Sequence, residues 1–186
     1  MAAVSPLAPT RFPDLPPIAG VTLASAHCGI RYKERTDLMV AVVAPGSTVA
    51  GVFTRSLTPG APIDWCRKAL KRGKARAIVV NSGNANVFTG KRGRDAVAQT
   101  VAAMVKIFRC DPREVFVSST GVIGETLAAE KIVAALPATA AAAHADAWAE
   151  AAQAIMTTDT FPKGATRSVE IHGTRVTIKV SPRARA

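Results

Sequence analysis

A glycine-rich segment, VFVSSTGVIGET, holds residues that could contact a negatively charged group. The pattern predicts a short strand, then a loop containing Thr120, Gly121 and Gly124, then a helix. Backbone N–H groups at such a junction point outwards without partners, so they can bind an anion or a developing oxyanion. A plain turn needs the same glycines, and residue types alone favour it. A phosphate loop is disfavoured, because neither the Walker spacing with its lysine nor GxGxxG is present.

Two further polar segments could do chemistry. NSGNANVFTG, residues 81–90, follows an apolar run, and its asparagines tolerate left-handed backbone and carry both donors and acceptors. On composition it is a well-capped loop. IMTTDTFPK places Thr157, Thr158, Asp159 and Thr160 ahead of Lys163. This segment could cap a helix end, or it could hold the carboxylate and ammonium groups of an amino acid, and spacing does not decide.

Histidines and cysteines offer little chemistry. His27, His144 and His172 are predicted in a strand, a helix and a hairpin turn, with no companion at metal-ligand or triad spacing. The three cysteines are widely spaced and are interpreted as ordinary free thiols. The carboxylates form no close pair in the apolar stretches, so paired-carboxylate hydrolysis has no support. No metal and no cofactor is predicted.

The elements that must position these segments alternate between strand and helix. Strands are predicted in residues 20–30, 37–54, 77–80 and 114–119, helices in 61–75, 94–108, 125–136 and 144–159, and a hairpin in 166–180. The first two strands flank a Pro-Gly turn, and Glu125 lies in the first turn of the third helix. Val97, Val101, Met104, Val105 and Phe108 give the second helix an apolar face. This order predicts an α/β (α+β layered) domain, a sheet packed with helices and loops gathered at one edge.

The positive charge of the chain indicates a partner or ligand of negative charge. The net charge is +11 at pH 7, partly from the clusters RKALKRGKAR (residues 67–76) and KRGR (residues 91–94). Nucleic acid is one explanation, but aromatic residues are 5% of the chain and do not accompany these clusters. An acidic partner chain or anionic substrates are the other explanation. No apolar run is long enough for a membrane span, and the Pro-rich start lacks a secretory pattern, so a cytoplasmic protein is predicted.

Taken in order, NSGNANVFTG, VFVSSTGVIGE and AIMTTDTFPK resemble the ornithine acetyltransferase family, the bifunctional ArgJ-type enzymes of arginine biosynthesis. The stretch DLMVAVVAPGSTVAGVFTRSLTPGAPIDWCRKAL is also similar to that family, and the resemblance runs from Gly20 to Ile178. It divides the chain into a Pro-rich arm (residues 1–19), an ArgJ/DmpA-like N-terminal half or alpha chain (20–178) and an atypical tail (179–186).

The resemblance implies a mechanism. Family precursors cut themselves before a threonine, which becomes the first residue of a beta chain and the nucleophile, with its own amine as base. Acetyl passes from N-acetylornithine, or from acetyl-CoA, through this threonine to glutamate, in a cytoplasmic heterotetramer. By motif, Thr120 and Gly121 match the oxyanion-hole pair, and Thr157 or Thr158 matches a substrate contact. Nucleic acid and membrane are not expected partners.

The chain departs from the family at its end. A segment with a substrate-binding lysine and the cleavage site is expected after Ile178, but the chain gives KVSPRARA. One choice of codons, read a single base along, gives Gln-Gly-Ile-Ala-Lys-Gly-Ala-Gly, so the tail is interpreted as a possible frameshift product. The chain alone is therefore expected to be inactive and to expose apolar surface. The alternatives are a basic module that binds RNA or another polyanion, and a non-catalytic pseudo-subunit.

Overall fold

The fold is built on one four-stranded sheet. The computed structural model describes residues 4–180. The sheet has the order β1-β2-β3-β4, with strands β1 (Val21–Ala26), β2 (Leu38–Val43), β3 (Ala77–Asn84) and β4 (Val115–Val122). Neighbours pair antiparallel except β3 and β4, which are parallel and therefore need a crossover. A separate two-stranded sheet pairs β5 (Ala165–Ile171) with β6 (Thr174–Val180).

Helices cover both faces of the four-stranded sheet. They are α1 (Ala61–Leu70), α2 (Gly90–Phe108), α3 (Ala129–Ala141) and α4 (Trp148–Ala154). Successive residues of β2 point to opposite faces, as strand geometry requires. Leu38 and Val40 pack in the larger core cluster with α1, α2 and α3, whereas Met39 and Ala41 pack in a smaller cluster with α4. This layering confirms the predicted α/β class.

The crossover helix α2 has the apolar face that its helical spacing predicts. Val97, Val101 and Met104 are buried and Val105 and Phe108 are half-buried, which confirms the predicted apolar face. Thr100 shares that face, and its hydroxyl donates to the Ala96 carbonyl at 3.0 Å, so a polar residue is accommodated there. The amphipathic pattern thus places α2, which connects β3 to β4 along the chain, against the sheet.

The two polar loops predicted after β3 and β4 are partly strand. β3 continues past Val80 to Asn84, and β4 includes Thr120 and Gly121 instead of ending at Ser119. The prediction was wrong because polar side chains usually end a buried strand, whereas here they bond inside the fold. Ser119 Oγ donates to Asn81 Oδ1 at 2.6 Å, one such bond between the two strands.

Several element ends also differ from prediction. α3 begins at Ala129, so Glu125 lies in the preceding loop and not in a first helical turn. α4 ends at Ala154, before the polar threonine segment. β2 ends at Val43, so the following Pro-Gly turn does not join two strands. His27 lies just after β1 and His144 between α3 and α4, outside the strand and helix predicted for them.

The hairpin of β5 and β6 was predicted correctly. Its turn is formed by His172 and Gly173, at φ of 49° and 75°. Cross-strand pairs such as Val169 with Val176 lie on one apolar face, and Ser168 bonds Thr177 on the other at 3.1 Å. Residues 179 and 180 complete β6, while the rest of the predicted tail, residues 181–186, lies outside the described residues.

Candidate functional site

The carboxyl ends of the parallel strands β3 and β4 meet at a close backbone contact. Gly121 has φ +133°, a conformation that side chains rarely adopt. A Cβ atom there would lie 2.3 Å from the Gly83 carbonyl carbon and 2.6 Å from the Asn84 nitrogen. The pairing of the two strands also shifts register at Gly83 and Asn84. Only glycine fits position 121, for reasons of both space and conformation.

Exposure differs sharply between the two residues of the predicted oxyanion pair. Thr120 is 2% exposed, whereas Gly121 is exposed at the end of β4. Gly121 therefore offers solvent a backbone position without a side chain of its own, paired with Gly83 of β3. Such a surface can approach a small polar group closely, which is what binding an anion or a developing oxyanion requires.

The asparagine segment after Val80 is a buried hydrogen-bond network. Asn81 Nδ2 donates to the Asn84 carbonyl at 2.9 Å, and Asn84 Nδ2 donates to the Glu125 carbonyl at 3.0 Å. Asn86 Nδ2 donates to the Gly93 carbonyl at 3.0 Å, at the start of α2. These side chains join β3 to the β4–α3 loop and to α2, so the segment is held by hydrogen bonds, although residues 81–84 are strand and not the predicted well-capped loop. The network holds the neighbourhood of Gly121 in place.

The threonine segment lies at the same end of β3. Ser82 Oγ donates to the Ala154 carbonyl at 2.8 Å, and so ties the last residue of α4 to the residue before Gly83. Thr157 is half-buried and Thr158 is exposed, beyond the helix end. Ser82 and Gly83, consecutive residues of the asparagine segment, thus contact the other two segments that the sequence singled out.

The other polar residues of the threonine segment have local partners. Asp159 Oδ1 pairs with Lys163 Nζ, and this ammonium also lies 4.6 Å from the centre of the Phe161 ring. The Thr160 hydroxyl accepts a hydrogen bond from the Ser5 backbone at 3.2 Å. Since α4 ends at Ala154, the helix-capping interpretation does not hold.

Asp37 is a buried anchor that the sequence did not single out. It is 0% exposed, and its carboxylate accepts the N–H groups of Cys28 at 2.6 Å and Ile30 at 2.7 Å. Its backbone carbonyl accepts the Ser82 N–H at 2.9 Å. Burial, and secondarily the Asp37 charge, raise the pKa of Cys28 to about 12. A lone aspartate directly before an apolar strand, in DLMVAVV, was the available signal.

The described residues form neither a metal-ligand cluster nor a disulfide. Nowhere in residues 4–180 do three or more His, Cys, Asp or Glu side chains form a group that could hold a metal ion. The three cysteines, all within this range, are unpaired. Among the described helices none is long and apolar enough to cross a membrane.

Comparison with known proteins agrees with the motifs. A sequence profile of the ArgJ family matches residues 22–182. The chain is 55% identical to the arginine biosynthesis bifunctional protein ArgJ of Bradyrhizobium diazoefficiens over 177 residues, and 54% identical to that of Gluconobacter oxydans over 176. Each match covers 95% of this chain, but only 43% and 41% of the relatives, so the chain spans less than half of their length.

Solved structures show the same relationship. The crystal structure of ArgJ from Bacillus halodurans superposes with a TM-score of 0.76 at 33% identity, over 88% of this chain and 86% of that one. Ornithine acetyltransferase from Mycobacterium tuberculosis, solved in complex with ornithine, gives 0.74 at 30% identity, over 91% of each chain. With the family profile covering most of its residues, the chain belongs to the ArgJ family.

Proposed function

We propose that this chain is the alpha part of an acetyltransferase of arginine biosynthesis. The enzyme moves acetyl from N-acetylornithine, or from acetyl-CoA, to glutamate through an acetyl-threonine intermediate. Its location is the cytoplasm, where the three free cysteines stay reduced. Family membership supports the reaction class, and the ornithine complex of the Mycobacterium tuberculosis relative supports the substrate class.

In this proposal Thr120 and Gly121 stabilise the oxyanion that forms when the acetyl carbonyl is attacked. The observation that carries it is the exposed backbone of Gly121, fixed against Gly83 where a Cβ would clash. A donor fixed before the reaction needs no reorganisation as charge develops. Thr157, or its neighbour Thr158, contacts the amino-acid part of the substrate from the segment tied to Ser82.

The nucleophilic threonine is proposed to come from a second part, the beta chain, made by self-cleavage of a precursor and joined with this part in a heterotetramer. The curated relatives are more than twice as long as the matched region, while the solved chains are 86% and 91% covered by it. That contrast fits a precursor that is divided into two chains.

The hairpin offers a surface for this second part. Five large aliphatic side chains on one face are exposed: Val169, Ile171, Val176, Ile178 and Val180. A contiguous apolar face of this kind usually meets a partner. We propose that the beta chain covers this apolar face. We also propose that acidic groups on that chain neutralise part of the +11 charge.

The test compares the 186-residue chain with a hybrid protein. The hybrid joins residues 1–178 to the part of the Bradyrhizobium diazoefficiens relative that this chain does not cover. With N-acetylornithine and glutamate, the hybrid should form N-acetylglutamate and an acetylated threonine peptide, detected by mass spectrometry. The 186-residue chain should form neither. Turnover by the 186-residue chain, or an inert but folded hybrid, would refute the proposal.

A further inference from the structure

One loop contacts the asparagine segment and the threonine segment of the candidate site. We call residues 27–36, between β1 and β2, the strap. Its Tyr32 ring lies against Gly83, where an added Cβ would be 3.3 Å from the ring. Its Arg35 donates a hydrogen bond to the Met156 carbonyl, 121 residues further along the chain. Met156 directly precedes Thr157, so the strap reaches the threonine segment as well as β3.

Tyr32 and Arg35 also contact each other. The Arg35 guanidinium carbon lies 4.0 Å from the centre of the Tyr32 ring, in a cation–π arrangement. Gly83 in turn touches Gly121. A continuous stack therefore runs from the oxyanion pair, through the Gly83 backbone, the ring and the guanidinium, to the carbonyl of Met156.

Several hydrogen bonds fix the strap, so it can hold the residues that it contacts at a set distance from each other. The buried Asp37 carboxylate accepts two of its backbone N–H groups, those of residues 28 and 30. Lys131 Nζ donates to the Gly29 carbonyl at 2.6 Å, and His27 Nε2 bonds the Tyr32 carbonyl at 3.0 Å. Charge-assisted bonds to a buried carboxylate restrain a loop strongly. A restrained loop can fix the distance between the groups that it contacts.

The ion pair between Arg31 of the strap and Glu125 is a weaker contact. Arg31 Nη1 lies 2.8 Å from Glu125 Oε2, but these side chains are 46% and 56% exposed. Water screens such a pair, so it adds little to the rigidity of the strap. The Tyr32–Arg35 stack is the contact that spans the two segments.

We propose that Tyr32 and Arg35 are positioning residues that set the spacing between the pair Thr120–Gly121 and the pair Thr157–Thr158. The inference rests on the proposed function, in which one N-acetylated amino acid contacts both pairs. Its acetyl carbonyl must reach Gly121 while its amino-acid end reaches the threonines. If the spacing changes, one substrate molecule cannot satisfy both, and its affinity falls.

The test uses the hybrid protein with Tyr32→Ala and Arg35→Met. Each substitution should raise KM for N-acetylornithine by about tenfold, because the threonine segment is no longer held in register. Tyr32→Phe keeps the ring and Arg35→Lys keeps a donor, so both should recover most of the affinity. Arg92→Met, at an exposed arginine of α2, is the matched control and should leave KM unchanged. A loss of folded protein lowers the measured kcat but not KM, so KM separates positioning from stability.

Hydrogen exchange of the same hybrids gives a readout that does not need activity. Arg35→Met should speed amide exchange in residues 156–163, and Arg92→Met should not. Unchanged exchange there would overturn the proposal, whatever the activity. Changed exchange with an unchanged KM would overturn it too, since the strap would then be structural only. If the unsubstituted hybrid is inert, the proposed function fails, and exchange alone decides whether the strap couples the segments.

Discussion

Gly121→Ala tests the close contact at the end of β4. At φ +133° an alanine carries backbone strain of about 1–3 kcal/mol. Its Cβ would lie 2.3 Å from the Gly83 carbonyl carbon, and forcing the two backbones apart adds about 1–3 kcal/mol. We therefore expect the free energy of unfolding to fall by about 2–6 kcal/mol.

Gly124→Ala is the matched control for this substitution. Gly124 also has positive φ, +84°, but nothing lies within 4 Å of its added Cβ. In Gly124→Ala the free energy of unfolding should fall only by the cost of the backbone conformation, about 1–2 kcal/mol. Urea unfolding of the 186-residue chain, followed by the fluorescence of Trp65 and Trp148, measures both losses. Equal losses for the two variants would refute the close contact between β3 and β4.

Three further predictions concern the surroundings of the site. Asp37→Ala removes an acceptor of two backbone N–H groups and should lower the free energy of unfolding by roughly 3–6 kcal/mol, measured by urea titration, whereas Asp37→Asn keeps an acceptor and should lose less. The pKa of Cys28 is raised from 9.0 to about 12, so its alkylation at pH 8 should be slow. The unfolded chain releases this proton first, so stability should fall as the pH rises from 9 to about 12, and less so in Cys28→Ala. Fast labelling of Cys28 at pH 8 in folded protein would contradict this. Replacing Val176 and Ile178 with threonine should reduce light scattering by the 186-residue chain, with a change in unfolding free energy within about 0.5 kcal/mol. Unchanged aggregation would mean that another surface is responsible.

Local pattern was enough to predict much of the fold. The α2 face and the β5–β6 hairpin follow from spacings of three to four residues and from alternation, which depend on neighbours in the chain. Residue types also singled out all three segments of the candidate site. The identity of those segments came from the order of their motifs, because each alone fits a plain turn or loop.

The remaining features depend on contacts between distant residues. β3 continues into the polar segment as far as Asn84, and Ser119, 38 residues from Asn81, bonds the Asn81 side chain there. Asp37 is important because it accepts the N–H of Ser82 through its carbonyl and two strap N–H groups through its carboxylate. Nor does a spacing rule connect Arg35 to Met156 across 121 residues. Such pairings are set by tertiary packing, which composition and periodicity do not encode.

The most direct test of the proposed site is the acetyl-transfer rate of the hybrid protein with Gly121→Ala. The hybrid should convert N-acetylornithine and glutamate to ornithine and N-acetylglutamate. In Gly121→Ala the added Cβ forces the backbone away from Gly83 and so displaces the donor N–H, which should lower kcat by up to about 10²–10³, the typical effect of one lost oxyanion donor. Gly124→Ala should cost far less, because no backbone lies against its added Cβ. A folded Gly121→Ala hybrid with unchanged kcat would contradict the assignment of this backbone to the oxyanion.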